Sequence, residues 1–216
     1  MYRAVELRRL REKPRISDIS LKVLSEYYES YLNPFIYHYQ IINQNQSNQN
    51  IELRFNIENF CHLLGVESIA KNSVKSSELC QYRGIRGWKN IKSGRISMKH
   101  LKQLNLKKFK SVKAKYVYFY LLPTLLERPL GVRYNREKVV PPTRIECELL
   151  FYSFFENAVI HLGIEKDSSE PYYIPRTFFV EKLSEDAGED IYIRNQEKVE
   201  IHSHYRVIMI GQEEQI

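Results

Sequence analysis

A single histidine interrupts "IENFCHLLGV", Ile57 to Val66, a run that otherwise reads as helix core. At about 100° per residue, Phe60, Leu63 and Leu64 share one side of the helical wheel and His62 points roughly opposite. An imidazole exchanges protons near neutral pH, which makes His62 the first candidate for acid–base chemistry. A structural role on the helix surface explains the same position. The last strand-like run, "VEIHSHYRVI", offers a second candidate. Alternation puts Val199, Ile201, Ser203, Tyr205 and Val207 on one face and His202, His204 and Arg206 on the other, each about 6–7 Å from the next. Two imidazoles and a guanidinium in a row suit proton transfer beside a phosphate, although a solvated strand face accounts for them equally. A zinc site would need Cys or carboxylate partners at matched spacing, and none is evident, so no metal is expected. In "YYIPRTFFVEK" a regular strand sends Arg176 and Thr177 to opposite faces, so at most one reaches a shared site. Asn195 and Gln196 occupy a turn position, which by itself explains the asparagine.

Charge narrows the partner. The 216 residues carry a net charge of +7, which fits a soluble basic surface or a polyanionic partner, nucleic acid foremost. The excess is local: from Lys71 to Lys115 there are many Lys and Arg but one carboxylate, Glu78. Such a strip can displace counterions from a phosphate backbone, and Arg83, Arg86, Lys89, Lys92 and Arg95 are its candidate contacts. Tyr82, Trp88, Tyr116, Tyr118 and Tyr134 lie in or near it and could stack bases, though helical spacing already explains Trp88 and Tyr116 as core. No Gly-rich phosphate loop, Gly-x-Ser-x-Gly elbow, Cys-x-x-Cys pair or His-Glu-x-x-His helix appears. Cys61, Cys80 and Cys147 are odd in number and lack metal spacing, which fits a reducing compartment. The N-terminal "MYRAVELRRLREKPR" lacks a secretion-type apolar stretch, and no apolar run approaches the length of a membrane span; the expectation is a cytoplasmic protein with no membrane partner.

The elements that must position these residues follow from periodicity. A first helix is expected over about Ser17 to Tyr31, capped by Ser17 or Asp18. "NPFIYHYQII" and "IELRFNI" read as strands joined by the polar tract "NQNQSNQN". Helices follow, one capped by Ser97 and a longer one over about Leu106 to Glu127 that buries Phe109, Val112, Tyr116, Phe119, Tyr120 and Leu126, with Pro123 bending its end. After Pro129 come four strand-like stretches, "RIECELLFYSFF", "NAVIHLGI", "YYIPRTFFVEK" and "EKVEIHSHYRVIMI". Helices first and strands later predict an α+β domain with an antiparallel sheet of four to five strands. The chain divides into an N-terminal helix plus polar hairpin (1–50) and a larger domain (51–216), together one compact unit.

"IELRFNIENFCHLLGV", "GWKNIKSGRISMKHL", "YYIPRTFFVEK" and "DIYIRNQEKVEI" together resemble a phage- and mobile-element-associated branch of the Barnase–EndoU–colicin–RelE nuclease superfamily. The resemblance spans about Ile51 to Ile210, with Phe60, His62, Leu63 and Gly65 and the later Pro-x-Thr-Phe-Phe and Asn-Gln segments as its most specific parts. It implies a small α+β domain with its site on an open sheet face, and a metal-independent ribonuclease without cofactor, often a toxin. His62, Thr177, Asn195 and Gln196 occupy the branch's recurring polar positions. RNA brings its own nucleophile, so the expected reaction moves two protons and leaves a 2′,3′-cyclic phosphate. His62 and one of His202 or His204 would transfer protons, with Arg206 or Arg176 balancing charge. RNA is the expected partner, with an acidic antitoxin or immunity protein as a second. The competing readings are a nucleic-acid-binding module without turnover and a phage-encoded factor that binds another protein.

Overall fold

The computed structural model describes residues 1–43, 47–183 and 190–209, without the side chains of Ser203 and His204. Two helices, α1 (Ala4–Arg9) and α2 (Leu21–Tyr31), precede strands β1 (Phe35–Ile42) and β2 (Asn48–Arg54). Six more follow: α3 (Asn59–Leu63), α4 (Val66–Ala70), α5 (Gly84–Lys92), α6 (Met98–Leu104), α7 (Leu106–Tyr118) and α8 (Leu122–Glu127). The chain ends in β3 (Leu130–Arg133), β4 (Leu149–Phe155), β5 (Ala158–Lys166), β6 (Tyr173–Lys182) and β7 (Glu197–Ile208).

The helix signals translate with small shifts. Ser20, rather than Ser17 or Asp18, caps α2, its hydroxyl accepting from Val23 N at 3.1 Å. Ser97 caps α6 as expected, accepting from His100 N at 3.2 Å. The long helix divides. A 3-10 turn at Phe119–Leu121 separates α7 from α8, whose first turn holds Pro123. Proline has no N–H to continue the α ladder but fits a helix start.

The α+β class holds, but the sheet is not an open antiparallel one of four to five strands. Seven strands close into a barrel in the order β1-β2-β6-β5-β4-β3-β7. Two contacts account for the difference. The N-terminal hairpin lies inside the sheet, because β1 pairs antiparallel with both β2 and β7. One parallel bridge, Leu53 to Tyr173, joins β2 to β6. β3 adds a four-residue strand too short for an alternation signal.

Helices pack into this curved sheet through an aromatic cluster. Phe60 of α3 meets Trp88 at a centroid distance of 4.9 Å, Tyr28 at 5.3 Å and Phe119 at 5.9 Å, edge-on in each case. All but Trp88 are fully buried, and it is nearly so. Two of the buried tyrosines keep their hydroxyls satisfied: Tyr27 donates to Tyr120 O at 2.7 Å and Tyr39 to Leu126 O at 2.9 Å. Burying each ring stabilises by about 2–3 kcal/mol, so the cluster fixes α3 firmly against β6 and α5. No helix among the described residues is long and apolar enough to cross a membrane.

Candidate active site

Pro175 decides which side chains β6 offers. It has no N–H for the ladder, and here the register to β5 slips: Gly163 pairs with Thr177 and Ile164 with Pro175, leaving Arg176 as an extra residue. This bulge overturns the expectation that at most one of Arg176 and Thr177 reaches a shared site. Both line one cavity of about 600 Å³. Gly163 makes room beneath it, since a Cβ there would lie 2.7 Å from Thr177 Cγ2 and 2.8 Å from Cys147 Sγ.

The facing wall is helical. Phe60 and Leu63 anchor α3 in the core and leave His62 exposed in its last turn, at the cavity. Gly65 follows in a left-handed conformation (φ 69°) that ends α3 and turns the chain into α4. From α4 come Glu67 and Ser68, from α7 Lys115, and from the loop ahead of β4 Thr143, Arg144 and Glu146; Lys71 completes the cationic lining.

The charges are sorted. Glu67 is held by Arg83 at 3.5 Å, and Glu146 by Arg136. Arg176 Nε lies 3.4 Å from Glu165. Lys71, Lys115 and Arg144 have no ion-pair partner among the described residues, so the cavity presents free positive charge to an anion. Although His62 keeps solvent access, the protein packed around its ring holds its pKa below the ordinary value. The cations of Arg176 and Lys115 add to this, and Glu67 and the Arg176 backbone pull the other way. The imidazole is therefore neutral at pH 7, with a lone pair able to accept a proton. Burial lowers the Lys115 ammonium to about 8, within reach of proton donation at neutral pH.

The other sequence candidates lie elsewhere. Among the described residues none of β7 lines this cavity, so His62 does not meet the row expected on the last strand. The row itself is broken by a second bulge. Ile201 pairs with Ile41 and Ser203 with Gln40, which makes His202 the extra residue. His202 is exposed and sits 2.8 Å from Glu200, while Arg206 lies over the Phe35 ring at 4.6 Å and reaches Glu127 at 4.0 Å. The His204 side chain lies outside the described residues. Gln196 is a structural clamp: its Oε1 accepts from Asn135 N at 2.7 Å and its Nε2 donates to Asn135 O at 3.0 Å. Asn195 is exposed in the preceding turn, whose Asp190 Oδ2 lies 3.0 Å from Nε2 of buried His161. Arg83, Arg86, Lys89 and Arg95 are exposed on or beside α5, with Arg83 held by Glu67; Lys92 is pinned to Glu29 at 2.5 Å. Tyr82, Trp88, Tyr116 and Tyr118 are buried core.

Sequence reasoning missed Lys115 and Arg144 as cavity residues. Lys115 adjoins the buried Tyr116 on α7, and a lysine next to a core stripe is a readable signal. Arg144 sits in "PPTRIE", where no periodicity operates.

Comparison with known proteins gave one result. Residues 21–208 match the family model described as phage-Barnase-EndoU-ColicinE5/D-RelE like nuclease 4. No curated protein and no solved structure matches the chain.

Proposed function

The chain belongs to the phage-Barnase-EndoU-ColicinE5/D-RelE like nuclease family, and from that premise we propose that it is an endoribonuclease working in the cavity around His62. One observation carries the reading: a neutral imidazole and three unpaired cations, with Arg176 and Thr177, wall a single open cavity. A phosphate seated there places its non-bridging oxygens against Arg176, Arg144 and Lys71. His62 takes the proton from the ribose 2′-hydroxyl, and the 2′-oxygen attacks phosphorus. The bond to the 5′-oxygen breaks, and Lys115 gives that oxygen its proton. The products are a 2′,3′-cyclic phosphate and a free 5′-hydroxyl. The nucleophile belongs to the substrate, so the step asks the protein only for positioned protons and charge.

The test is incubation of end-labelled RNA with purified protein in EDTA. Cyclic-phosphate ends that vanish with His62→Ala, and an uncut substrate where a 2′-deoxy sugar precedes the target bond, are the expected results. Equal cutting of DNA, or full activity in His62→Ala, would remove the proposal. A role as toxin or phage-defence effector adds a second expectation. Expression of the wild type, but not of His62→Ala, slows growth, and an acidic antitoxin that covers the cavity's cations relieves it.

A further inference from the structure

The His62 cavity is not the only hollow between α7 and β6. Farther along β6, and along a stretch of α7 that brackets Lys115, is a groove of about 630 Å³ lined by Lys13, Arg15, Lys110, Lys113 and Lys182, with Tyr118 at its base. All five cations are exposed, and none has an ion-pair partner among the described residues. On and beside α5, by contrast, two of the cations, Arg83 and Lys92, are already engaged by Glu67 and Glu29. Lys13 is steered inward by the Tyr118 ring, 5.9 Å from its Nζ, although it belongs to the chain ahead of α2. Among the described residues, the groove's lining holds one carboxylate, Glu181. Burial, with Asp190 adding to it and His161 opposing it, pushes its pKa up, and five exposed cations outnumber it in the groove.

Position gives the groove its meaning. β6 contributes Arg176 and Thr177 to the cavity and Val180, Glu181 and Lys182 to the groove. α7 contributes Lys115 to the first and Lys110 and Lys113 to the second. At the rise of a strand, Arg176 and Lys182 are about 20 Å apart, a span of a few nucleotides of extended single strand. A duplex is a poor fit to a cleft between one helix and one strand, whereas a single strand can follow it with its phosphates toward the lysines. We infer that this groove is a second RNA subsite, which holds the backbone of single-stranded RNA that runs on from the scissile phosphate in the His62 cavity. The inference rests on the proposed ribonuclease reading and adds the substrate class: unpaired RNA longer than the cleaved dinucleotide.

Binding tests this without cutting. In a His62→Ala background, fluorescence anisotropy is read with a labelled dinucleotide and a labelled single strand of about 12 nucleotides. The longer RNA should bind more tightly. Adding Lys13→Ala, Lys113→Ala and Lys182→Ala should remove that gain, weakening the long strand at least about tenfold and lowering the slope of log K against log salt by about 2. These side chains are exposed, and circular dichroism confirms that the variant folds. An unchanged gain and salt slope would overturn the inference, as would loss of binding to polyglutamate with RNA binding intact, which would assign the groove to an acidic protein. If the wild type does not cut RNA but the groove-dependent gain persists, the nuclease mechanism fails and the RNA subsite stands.

Discussion

β6 and β7 are long strands with one bulge each, and the bulges have opposite outcomes. In β6 the extra residue, Arg176, puts two consecutive polar side chains on the wall of one cavity. In β7 the extra residue, His202, is exposed and, among the described residues, hydrogen-bonds its near neighbour Glu200. The difference lies in what packs over them. Arg176 faces a cavity walled by α3, α4, α7 and the 143–146 loop, whereas no cavity among the described residues is lined by His202, although the two side chains are about equally exposed, 48% and 52%. A bulge re-aims side chains in either case, but they share a cavity only where a second layer of structure faces them.

The sharpest test of the contrast is a pair of single substitutions. His62→Ala should lower RNA cleavage by about a hundred- to ten-thousand-fold, the usual worth of a positioned general base. His202→Ala should leave the rate within about twofold, because no group it touches faces the cavity. Equal losses at both positions would show that the His62 cavity and the last strand share one site after all. Next in size is Arg176→Ala, with an expected loss of about a hundredfold in kcat. Arg176→Lys should recover only part of it, since an ammonium restores the charge without the planar fork.

The pH profile of kcat/KM probes the enclosed side alone. The base must be neutral, so the rate falls as pH drops through the lowered pKa of His62. The acid must be charged, so the rate falls as pH rises through about 8 at Lys115. Lys115→Arg keeps its proton at all working pH, which should lower the maximum rate and abolish the alkaline limb. A profile that still turns down near 8 in this variant would assign the acid elsewhere.

Gly163 connects the bulge to its support. Gly163→Ala drives a methyl against Thr177 and Cys147, and one of them must move. The expected cost is about 1–3 kcal/mol of stability, read as a lowered denaturant midpoint, together with weakened cleavage as Thr177 shifts.

Sequence made one side of the comparison partly visible. The period of 3.6 exposed His62 as an off-stripe residue and assigned the α7 core from Phe109 to Tyr116, because a helix of this kind has no irregularity to hide. Alternation failed on both strands for one reason: a single inserted residue flips every side chain beyond it. Pro175 was the readable warning in β6, and β7 carries no equivalent. Barrel closure was hidden because it depends on one bridge between Leu53 and Tyr173, distant in sequence and without a local signature. Arg144 reaches the cavity from a loop whose course no period encodes.

The smallest effect concerns stability, and it separates the His62 cavity from the last strand by size. Lys115 has a folded pKa of about 8 against an ordinary 10.5, so folding disfavours its charged form. Between those values the unfolded chain binds the extra proton and stability rises with pH. Below about 8 both states are protonated and the penalty is constant. At pH 7, Lys115→Met should therefore stabilise the fold even as it removes the proposed acid. Discounted for remaining solvent contact, the gain is about 1 kcal/mol, or about 2–4 °C in Tm. His202→Ala removes only an exposed pair with Glu200 and should shift Tm by less than about 1 °C. A lower Tm for Lys115→Met would mean that the ammonium supports the folded cavity rather than being a burden on it.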